Sequence, residues 1–418
     1  MCASESPVTL PLDGPADDVS ANPTRFRPGR MMSSEPTPPQ KQTIGDDVHF
    51  AEQFPLSPID DFMVHQTPDP IRVMMFSDPR AYERYWMVCH DDSGEILVAT
   101  GCSFYPNLNR AEAYAIVNHK GIHRTVRAFR PLGADRMDLR MGPIAPQIIE
   151  GMRRWRFVLE PNEWDISFDI NFRDTTRQTF REPTLSVDRG FPPGRRPDVT
   201  TGFESFGEVE GWVEIEGERV ELKAGSARGT RDRHWGIGRG VGGPELALGG
   251  RMHVGVSGNS FVAFDNFTIW GDKSFYKFGD QRTGSARIVN VVRRLRFEED
   301  TKIFLEGLVD YTLDTGEVKK LHYERIGNQT AYLRCGMYGG TPDKNIYQGG
   351  YTGDDELIEG DLFDVNIPAV RASIVGLDEH LCRVTCEGET TTGLFQPIDP
   401  NAYNACASPT REDWSFLE

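Results

Sequence analysis

Residues 154–172 read RWRFVLEPNEWDISFDINF, and this stretch predicts the fold of the chain. On both sides of the turn at 161–163, large apolar residues alternate with charged or polar ones. A period of two residues puts successive side chains on opposite faces of a strand, and one apolar face is typical of an antiparallel sheet. The stretch therefore predicts a β-hairpin with one face in a core.

The same signal recurs over most of the chain. Strand-like runs turn around 91–94 and 120–121 before this hairpin, and around 216–217, 257–260 and 314–316 after it. Regular turn signals with almost no helical periodicity predict an all-β protein of antiparallel barrels or sandwiches with few short helices.

Two local predictions concern single elements. A short helix is expected near residues 78–84, and a strand is expected at residues 371–375, where it would help to close the second sheet.

The composition divides the chain into five parts. Residues 1–47 are rich in Pro, Ser, Thr and Asp, which predicts a disordered arm. Residues 182–201 hold four prolines and two glycines, which is typical of a linker. We therefore expect the arm at 1–47, a first β domain at 48–182, a linker at 183–203, a second β domain at 204–392 and a C-terminal extension at 393–418.

The charge and cysteine content exclude several classes of protein. The net charge of -17 argues against a nucleic-acid partner, because phosphate backbones are bound by clustered cations. The sequence shows neither a signal-peptide pattern nor an apolar run of about 18 residues, so a cytoplasmic protein without a membrane span is expected. Seven scattered cysteines without a CxxC motif predict neither a disulfide framework nor a thiolate zinc site, and no metal site is expected.

The densest chemistry lies at residues 229–238, which read GTRDRHWGIG. On a strand, Asp232 and His234 share one face, while Arg231, Arg233 and Trp235 share the other. A carboxylate and an imidazole on one face can donate and accept protons, with pKa values tuned by burial. The alternative is an ion-pair cluster that anchors a loop, with Trp235 in the core. In either case we expect this run at the mouth or wall of the second β domain.

Three further features lie downstream of this run. Residues 238–243 match GxGxxG, but no helical pattern follows, so they predict a glycine-rich loop that could cover a pocket rather than a dinucleotide site. His253 lies in an alternating strand and faces either a barrel lumen or solvent. Trp270 ends the next predicted strand.

Residues 231–236, Arg-Asp-Arg-His-Trp-Gly, resemble the Arg-Asp-His-Ser-Trp-Gly signature of an uncharacterised bacterial branch of the AttH and carotenoid 1,2-hydratase-like proteins. Shorter resemblances lie at 202–205 and 211–213, and in the first half at 104–107 and 154–156. The resemblance implies two consecutive lipocalin-like β-barrel domains.

The resemblance also implies an activity. The family includes hydration of an isoprenoid double bond and cyclisation of polyketide-type substrates, which belong to secondary metabolism. It therefore implies a lyase, hydratase, isomerase or cyclase that uses no cofactor and acts on a hydrophobic terpenoid, steroid or polyketide-like molecule in a β-barrel pocket.

One departure from the family pattern guides the choice of residues. Arg233 occupies the family's histidine position, and His234 follows one residue later, on the other face of a strand. Asp232 is therefore the candidate acid, Glu204 the candidate base and His234 their catalytic partner. The candidate substrate contacts are Trp235, Arg231, Arg233, His253 and Trp270.

Two other functions remain open at this point. The protein could be a carrier of an apolar ligand, as lipocalin-like barrels often are, and a purely apolar lumen with Asp232 ion-paired outside it would favour that function. It could also be a scaffold with a filled barrel interior. A homodimer is compatible with each of these functions.

Overall fold

The computed structural model describes residues 61–63, 65, 77–133, 136–175, 178–186, 198–238, 241, 253–258, 262–268, 276–278, 286–301, 303–397 and 415–416. The chain divides into two compact units, Met1–Gln53 and Phe54–Glu418, and all of the described residues belong to the second unit. The predicted arm at 1–47 and Trp270 lie outside the described residues.

The described part of the chain up to residue 238 is built from eleven strands. They are β1 (Ala81–His90), β2 (Ile96–Tyr105), β3 (Arg110–His119), β4 (Ile122–Pro131), β5 (Gln147–Glu150), β6 (Arg154–Leu159), β7 (Ile166–Asp174), β8 (Thr179–Ser186), β9 (Asp198–Ile215), β10 (Glu218–Leu222) and β11 (Arg228–Ile237). Strands β6 and β7 form the predicted hairpin, and β6 alternates buried apolar with more exposed residues along its length.

The described part of the second half adds ten strands and one α-helix. They are β12 (His253–Gly258), β13 (Val262–Thr268), β14 (Tyr276–Phe278), β15 (Ala286–Phe297), β16 (Phe304–Leu313), β17 (Val318–Tyr332), β18 (Leu357–Asp364), α1 (Pro368–Ile374), β19 (Asp378–Cys386), β20 (Glu389–Phe395) and β21 (Ser415–Phe416). The prediction of an all-β, antiparallel protein with few short helices is confirmed.

The first sheet curls around a core of its own. Its strand order is β18-β4-β3-β2-β1-β11-β9-β7-β6-β5, and β8 and β10 pair with opposite ends of the long β9. Val126 and Ala128 of β4 share one buried cluster with Trp155 and Phe157 of β6, although six strands separate β4 from β6 in the sheet. The sheet must therefore bend until its two ends nearly meet.

The second sheet is a closed barrel. The order β14-β13-β12-β20-β19-β17-β16-β15 is completed by pairing of β14 with β15, so eight strands form a ring with every neighbouring pair antiparallel. Strand β21 adds to β15 in parallel. Closure removes the exposed sheet edges, which is how up-and-down barrels avoid edge-to-edge association.

The two sheets pack against each other through an apolar layer. Strands β1 and β2 are buried along their whole length, because their second face meets the barrel instead of solvent. We call this contact the inter-sheet layer. Its buried members are Trp86, Val88, Leu97, Ala99, Tyr114, Ile116, Ala331, Leu333, Met337, Leu381 and Leu394.

The division between the sheets differs from the predicted domain boundary. The predicted linker at 183–203 contains the end of β8 and the start of β9, and both strands belong to the first sheet. Strand β11 pairs with β1 and β9, so residues 229–237 belong to the first sheet. The sequence had instead predicted that this run lies at the mouth or wall of the second β domain. Strand β18 returns from the second half to pair with β4. The domain boundaries predicted from the sequence, 48–182 and 204–392, stay a prediction.

Two local predictions were wrong. Residues 371–375 fall mostly in α1, which starts at Pro368, a residue whose fixed φ and missing N–H suit the first turn of a helix. Residues 81–84, expected in a short helix, begin strand β1, where pairing on both sides outweighs the local preference. In the part of the chain that the structure covers, no helix has the length and apolarity needed to cross a membrane.

The buried carboxyl of Glu112 in β3 gives a first testable prediction. Burial raises its pKa to about 8, against hydrogen bonds from the Tyr105 hydroxyl and the Gly349 N–H that lower it. Between the ordinary pKa of 4.5 and about pH 8, the unfolded chain has released this proton and the folded chain has kept it. The free energy of unfolding therefore falls as pH rises, by up to about 1.4 kcal/mol per pH unit from this group.

Glu112→Gln is expected to flatten this slope in urea unfolding at pH 5, 6, 7 and 8. Glu210→Gln, which makes the same chemical change at an exposed position, is the matched control. Equal slopes for the two variants would contradict a protonated Glu112 in the folded state.

Candidate active site

The face predictions for residues 231–235 agree with the structure. Strand β11 lies between β1 and β9 in the middle of the first sheet. Asp232 stands directly opposite Trp86 of the inter-sheet layer, so Asp232 and His234 face the second sheet. Arg231 lies over the ring of Trp155 and faces the core of the first sheet.

Four ionisable side chains meet on the face of β11 that looks toward the barrel. His234 Nε2 lies 2.7 Å from Glu204 Oε1, and His234 Nδ1 lies 3.3 Å from Asp232 Oδ2. Arg84 Nη2 lies 2.9 Å from His234 Nδ1 and 3.3 Å from Asp232 Oδ2. We call Arg84, Glu204, Asp232 and His234 the β11 cluster. It joins the three residues predicted to be catalytic, and its sheet register explains why: Asp232 pairs with Glu204, and His234 with Arg84.

The contacts of the His234 ring favour one tautomer. A guanidinium group can only donate, so the 2.9 Å contact with Arg84 requires a lone pair on Nδ1. The ring hydrogen then lies on Nε2 and is donated to the Glu204 carboxylate. When His234 takes up a second proton at Nδ1, Asp232 Oδ2 is the nearby acceptor. The ring can therefore exchange a proton with Asp232 while Glu204 fixes its orientation.

Gly202 makes room for this arrangement. It pairs with His234 across β9 and β11, and a Cβ at this position would overlap the His234 ring and the backbone oxygen of Arg233. Because glycine has no side chain, the space over Gly202 is open to the imidazole. The His234 ring can therefore lie across β9 and reach Glu204.

Gly202→Ala is therefore expected to push the His234 ring away from Glu204 and to lower the free energy of unfolding by about 1–3 kcal/mol, as overpacking of a close contact does. Urea unfolding and the NMR titration of the His234 ring would measure both effects. Gly376→Ala is the matched control, because its nearest neighbours are atoms of the flexible Arg334 side chain. An unchanged titration of His234 in Gly202→Ala would contradict the assigned role of this glycine.

Arg231 is engaged on the opposite face of the sheet. Its guanidinium bonds to Asp61 at 2.7 Å and to Asp174 at 2.5 Å, with both carboxylates buried. Burial raises the pKa of Asp174 to about 6, although Arg231 lowers it. Arg231 thus holds Asp61 and its neighbours up to His65, which we call the N-terminal segment, against the core of the first sheet. Asp232, the next residue along β11, points to the opposite face.

Arg233 and Trp235 secure the same N-terminal segment. Arg233 donates to the backbone oxygens of Asp61 and Phe62, and lies 3.3 Å from Glu83. The Trp235 ring stacks on His65, with 3.7 Å between ring centroids. The three predicted substrate contacts within the motif therefore do not share a site with Asp232, because neighbouring positions on a strand point to opposite faces.

The remaining candidates fall where little is described. His253 is the first residue of β12, and its side chain lies outside the described residues. Trp270 and most of the glycine-rich loop at 238–243 also lie outside them. Within the described ranges, no three His, Cys, Asp or Glu side chains form a group that could hold a metal ion.

The sequence patterns did not predict Arg84 of the β11 cluster or three residues near it, Tyr338, Tyr114 and Glu379. Arg84 Nη1 bonds to the Tyr338 hydroxyl at 2.5 Å, and the Tyr338 ring meets that of Tyr114 edge to face. Glu379 of β19 enters from the barrel, and the electrostatic influence of Asp232 and Arg84 reaches it. No local motif marks these positions, which become neighbours only through pairing and packing of the sheets.

Burial and charge set the protonation states of these neighbours. The pKa of Glu379 is raised well above its ordinary value, mainly by burial and secondly by the charge of the nearby Asp232. The pKa of Tyr114 is also raised, mainly by burial and secondly by the nearby Tyr338. Burial lowers the pKa of Arg84, but Tyr338 and Asp232 outweigh it, so the pKa is raised overall. Tyr114 is therefore neutral and Arg84 a cation near neutral pH, and the raised pKa of Glu379 favours its protonated carboxyl.

The fold and the site define a β protein with an acid–base cluster buried between a curled sheet and a closed barrel. Residues 56–286 match the model of a family of unknown function, DUF8625. Since the match spans more than half of the chain, the protein belongs to this family. No curated protein matches the sequence.

Several solved structures resemble the chain at low sequence identity. An AttH protein of Nitrosomonas europaea has 13% identity and a TM-score of 0.43, with 76% of this chain and 92% of that chain covered. Kievitone hydratase of Nectria haematococca has 11% identity and a TM-score of 0.43, with coverage of 81% and 98%. CghA with Sch210972 has 10% identity and a TM-score of 0.43, with coverage of 81% and 97%. The bacterial branch suggested by residues 231–236 stays a prediction.

Proposed function

We propose that this protein is an enzyme of the hydratase, lyase, isomerase or cyclase type that acts on a hydrophobic small molecule at the inter-sheet layer. The observation that carries the proposal is the chain Asp232–His234–Glu204, joined to Arg84 and buried at an apolar surface. A buried carboxyl linked to an imidazole is suited to general acid–base catalysis, which typically contributes about 10²–10⁴-fold to a rate.

In this proposal Asp232 is the group that meets the substrate. Once Asp232 has taken a proton from the His234 imidazolium, its carboxyl gives that proton to a carbon–carbon double bond, and a carbocation forms. In a hydration, water attacks the cation and returns one proton to Asp232, which restores the carboxyl. In an isomerisation, the cation instead loses a proton from a neighbouring carbon to Asp232. His234 can resupply Asp232 across 3.3 Å, and Glu204 stabilises the imidazolium.

The surroundings of Asp232 support an apolar substrate. Trp86 stands beside Asp232 in the sheet register, and its ring offers an aromatic face that can stabilise a cation. Leu381 and Leu394 approach from the barrel side of the same layer. The side chains of Asp232 and Arg84 are only 8% and 6% exposed, so both ionisable groups are buried at this apolar layer. These surroundings lead us to infer a terpenoid, steroid or polyketide-like substrate.

The experiment that tests the proposal combines ligand identification with turnover. Native mass spectrometry of freshly purified protein would identify the chemical class of any bound ligand. A panel of unsaturated terpenoids, steroids and polyketides would then be incubated with the protein in heavy-oxygen water and in deuterium oxide. We expect at least one compound to gain labelled oxygen or deuterium at carbon, and heat-denatured protein to give no label.

The same experiment separates an enzyme from a carrier. A ligand that is bound and released unchanged, with no label in any compound of the panel, would reject the enzyme and favour a carrier of apolar molecules. Label appearing at one site of one compound class would define the reaction and its substrate together.

A further inference from the structure

Four polar atoms at the inter-sheet layer have no hydrogen-bond partner among the residues that the structure describes. They are Arg84 Nε, Trp86 Nε1, Tyr114 Oη and Glu379 Oε2. All four side chains are buried, and Tyr114 and Glu379 are 0% and 1% exposed. A buried polar group without a partner is costly, so a concentration of such groups in one place needs a physical explanation.

Three of these residues lie close together on the first sheet. Trp86 pairs with Gly101, and Gly101 pairs with Tyr114, so they form one row on the face that carries Asp232. The Tyr114 ring lies over Gly101, where a Cβ would overlap it. Arg84 is two residues before Trp86 on β1 and points to the same face. Tyr338 links them, since it bonds to Arg84 and packs against Tyr114.

Glu379 reaches the same place from the barrel. Its neighbour on the same face of β19, Leu381, belongs to the layer, and the paired residue Ala331 does too. Gln396 donates a hydrogen bond to Glu379 Oε1, which fixes the carboxyl and leaves Oε2 for another partner. The charges of Asp232 and Arg84 both act on Glu379, and Tyr114 responds to Arg84, Glu379 and Asp232. The four residues therefore belong to one site.

The chemistry of the four atoms is uniform. Arg84 Nε and Trp86 Nε1 can only donate hydrogen bonds, and the neutral phenol of Tyr114 also carries a donor. Burial and the nearby Asp232 raise the pKa of Glu379, which favours the protonated carboxyl, and Oε2 is the oxygen whose O–H is then left to donate. Four donors without a partner at one apolar layer select for an acceptor oxygen.

We propose that Arg84, Trp86, Tyr114 and Glu379 form a subsite that binds an acceptor oxygen, such as a ketone carbonyl, of an otherwise apolar ligand. This inference rests on the proposed function in taking the inter-sheet layer as the substrate site, and it narrows the substrate to oxygenated apolar molecules. The carbonyl would be held beside Asp232, and the donors would stabilise negative charge that develops on its oxygen.

The test uses a matched pair of probes, 2-decalone and decalin, which differ by one carbonyl. Equilibrium dialysis with the full-length protein, followed by gas chromatography, gives the ratio of the two affinities. The wild-type protein is expected to favour 2-decalone. Tyr114→Phe and Glu379→Leu should each reduce this preference several-fold, up to about tenfold, which is the contribution of one hydrogen bond.

Tyr332→Phe is the matched control, because Tyr332 is also buried and its hydroxyl also has no partner among the described residues, but it belongs to a different cluster. This variant should keep the wild-type preference. Tyr114→Phe should unfold at no lower urea concentration than the wild type, since it removes a hydroxyl without a partner, so a lost preference would not reflect misfolding.

The outcomes separate the two proposals. Absence of 2-decalone binding, or an unchanged preference in both variants, would overturn the oxygen subsite. Selective binding of 2-decalone without turnover of any compound in the panel would support the subsite and reject the enzyme. Turnover without any preference for 2-decalone would reject the subsite alone.

Discussion

Asp232→Asn is expected to lower kcat by at least about 10²-fold on any compound that the wild-type protein converts, because an amide cannot supply the proton that the carboxyl supplies. Asparagine has nearly the same shape and can still contact His234, so the binding of substrate should change little. The loss should therefore appear in kcat more than in KM, which is typical of a group that acts in the transition state. Steady-state kinetics of the purified variant would measure this.

Asp169→Asn is the control for this prediction. Asp169 lies on β7 of the same sheet and forms an ion pair with Arg156 on the solvent side, with 24% of its side chain exposed. The same chemical change at this position should leave kcat unaltered. If Asp232→Asn kept the wild-type kcat, Asp232 could not be the acid, and the assignment of the β11 cluster would have to be abandoned.

Arg231→Met is expected to give the largest loss of stability. Arg231 is 1% exposed and is the shared partner of two buried carboxylates, Asp61 and Asp174. Removing one partner of a buried ion pair leaves uncompensated charge and typically costs about 3–5 kcal/mol. Without Arg231, which lowers the pKa of Asp174, the Asp174 carboxyl keeps its proton to still higher pH in the folded state than in the unfolded state. The loss should therefore be smallest at acidic pH and grow as pH rises.

Urea unfolding at pH 5 and pH 8 would measure this difference. Arg156→Met is the control, since its ion pair with Asp169 is partly exposed, and such a pair contributes about 0–1 kcal/mol. Adding Asp61→Asn and Asp174→Asn to Arg231→Met should recover much of the lost stability. Equal stability of Arg231→Met and the wild type would show that the N-terminal segment is not held by this cluster.

Local sequence patterns predicted the strands but not their partners. The alternation at residues 154–172 was sufficient to predict a hairpin. One face of β6 is more exposed than the other, so polar residues recur there at every second position. Strand β1 lacks such a face, and all ten of its residues are buried, so its pattern gave little indication of its environment. The pairing of β1 with β11 joins residues more than a hundred positions apart, and short-range periodicity contains no information about it.

The same limit explains which site residues could be predicted. Asp232 and His234 are two apart, so strand geometry alone put them on one face. Arg231, Arg233 and Trp235 were drawn into the substrate site because they are adjacent in the chain, but adjacency on a strand means the opposite face. Glu204 reached the site through the resemblance to a known family. Arg84 and Glu379 required the sheet register and the packing of the barrel, which no motif in the chain records.

Strand β18 means that the first sheet cannot be completed until most of the second half of the chain has been synthesised. The chain leaves the barrel after β17, adds β18 to the outer edge of β4, and returns to the barrel with β19. A ribosome would finish β4 more than two hundred residues before it makes the strand that covers β4. During that interval β4 presents an unpaired edge, the kind of surface on which nascent chains associate wrongly. Cutting the gene between the two sheets would leave one fragment without its last strand and the other with a strand that has no sheet.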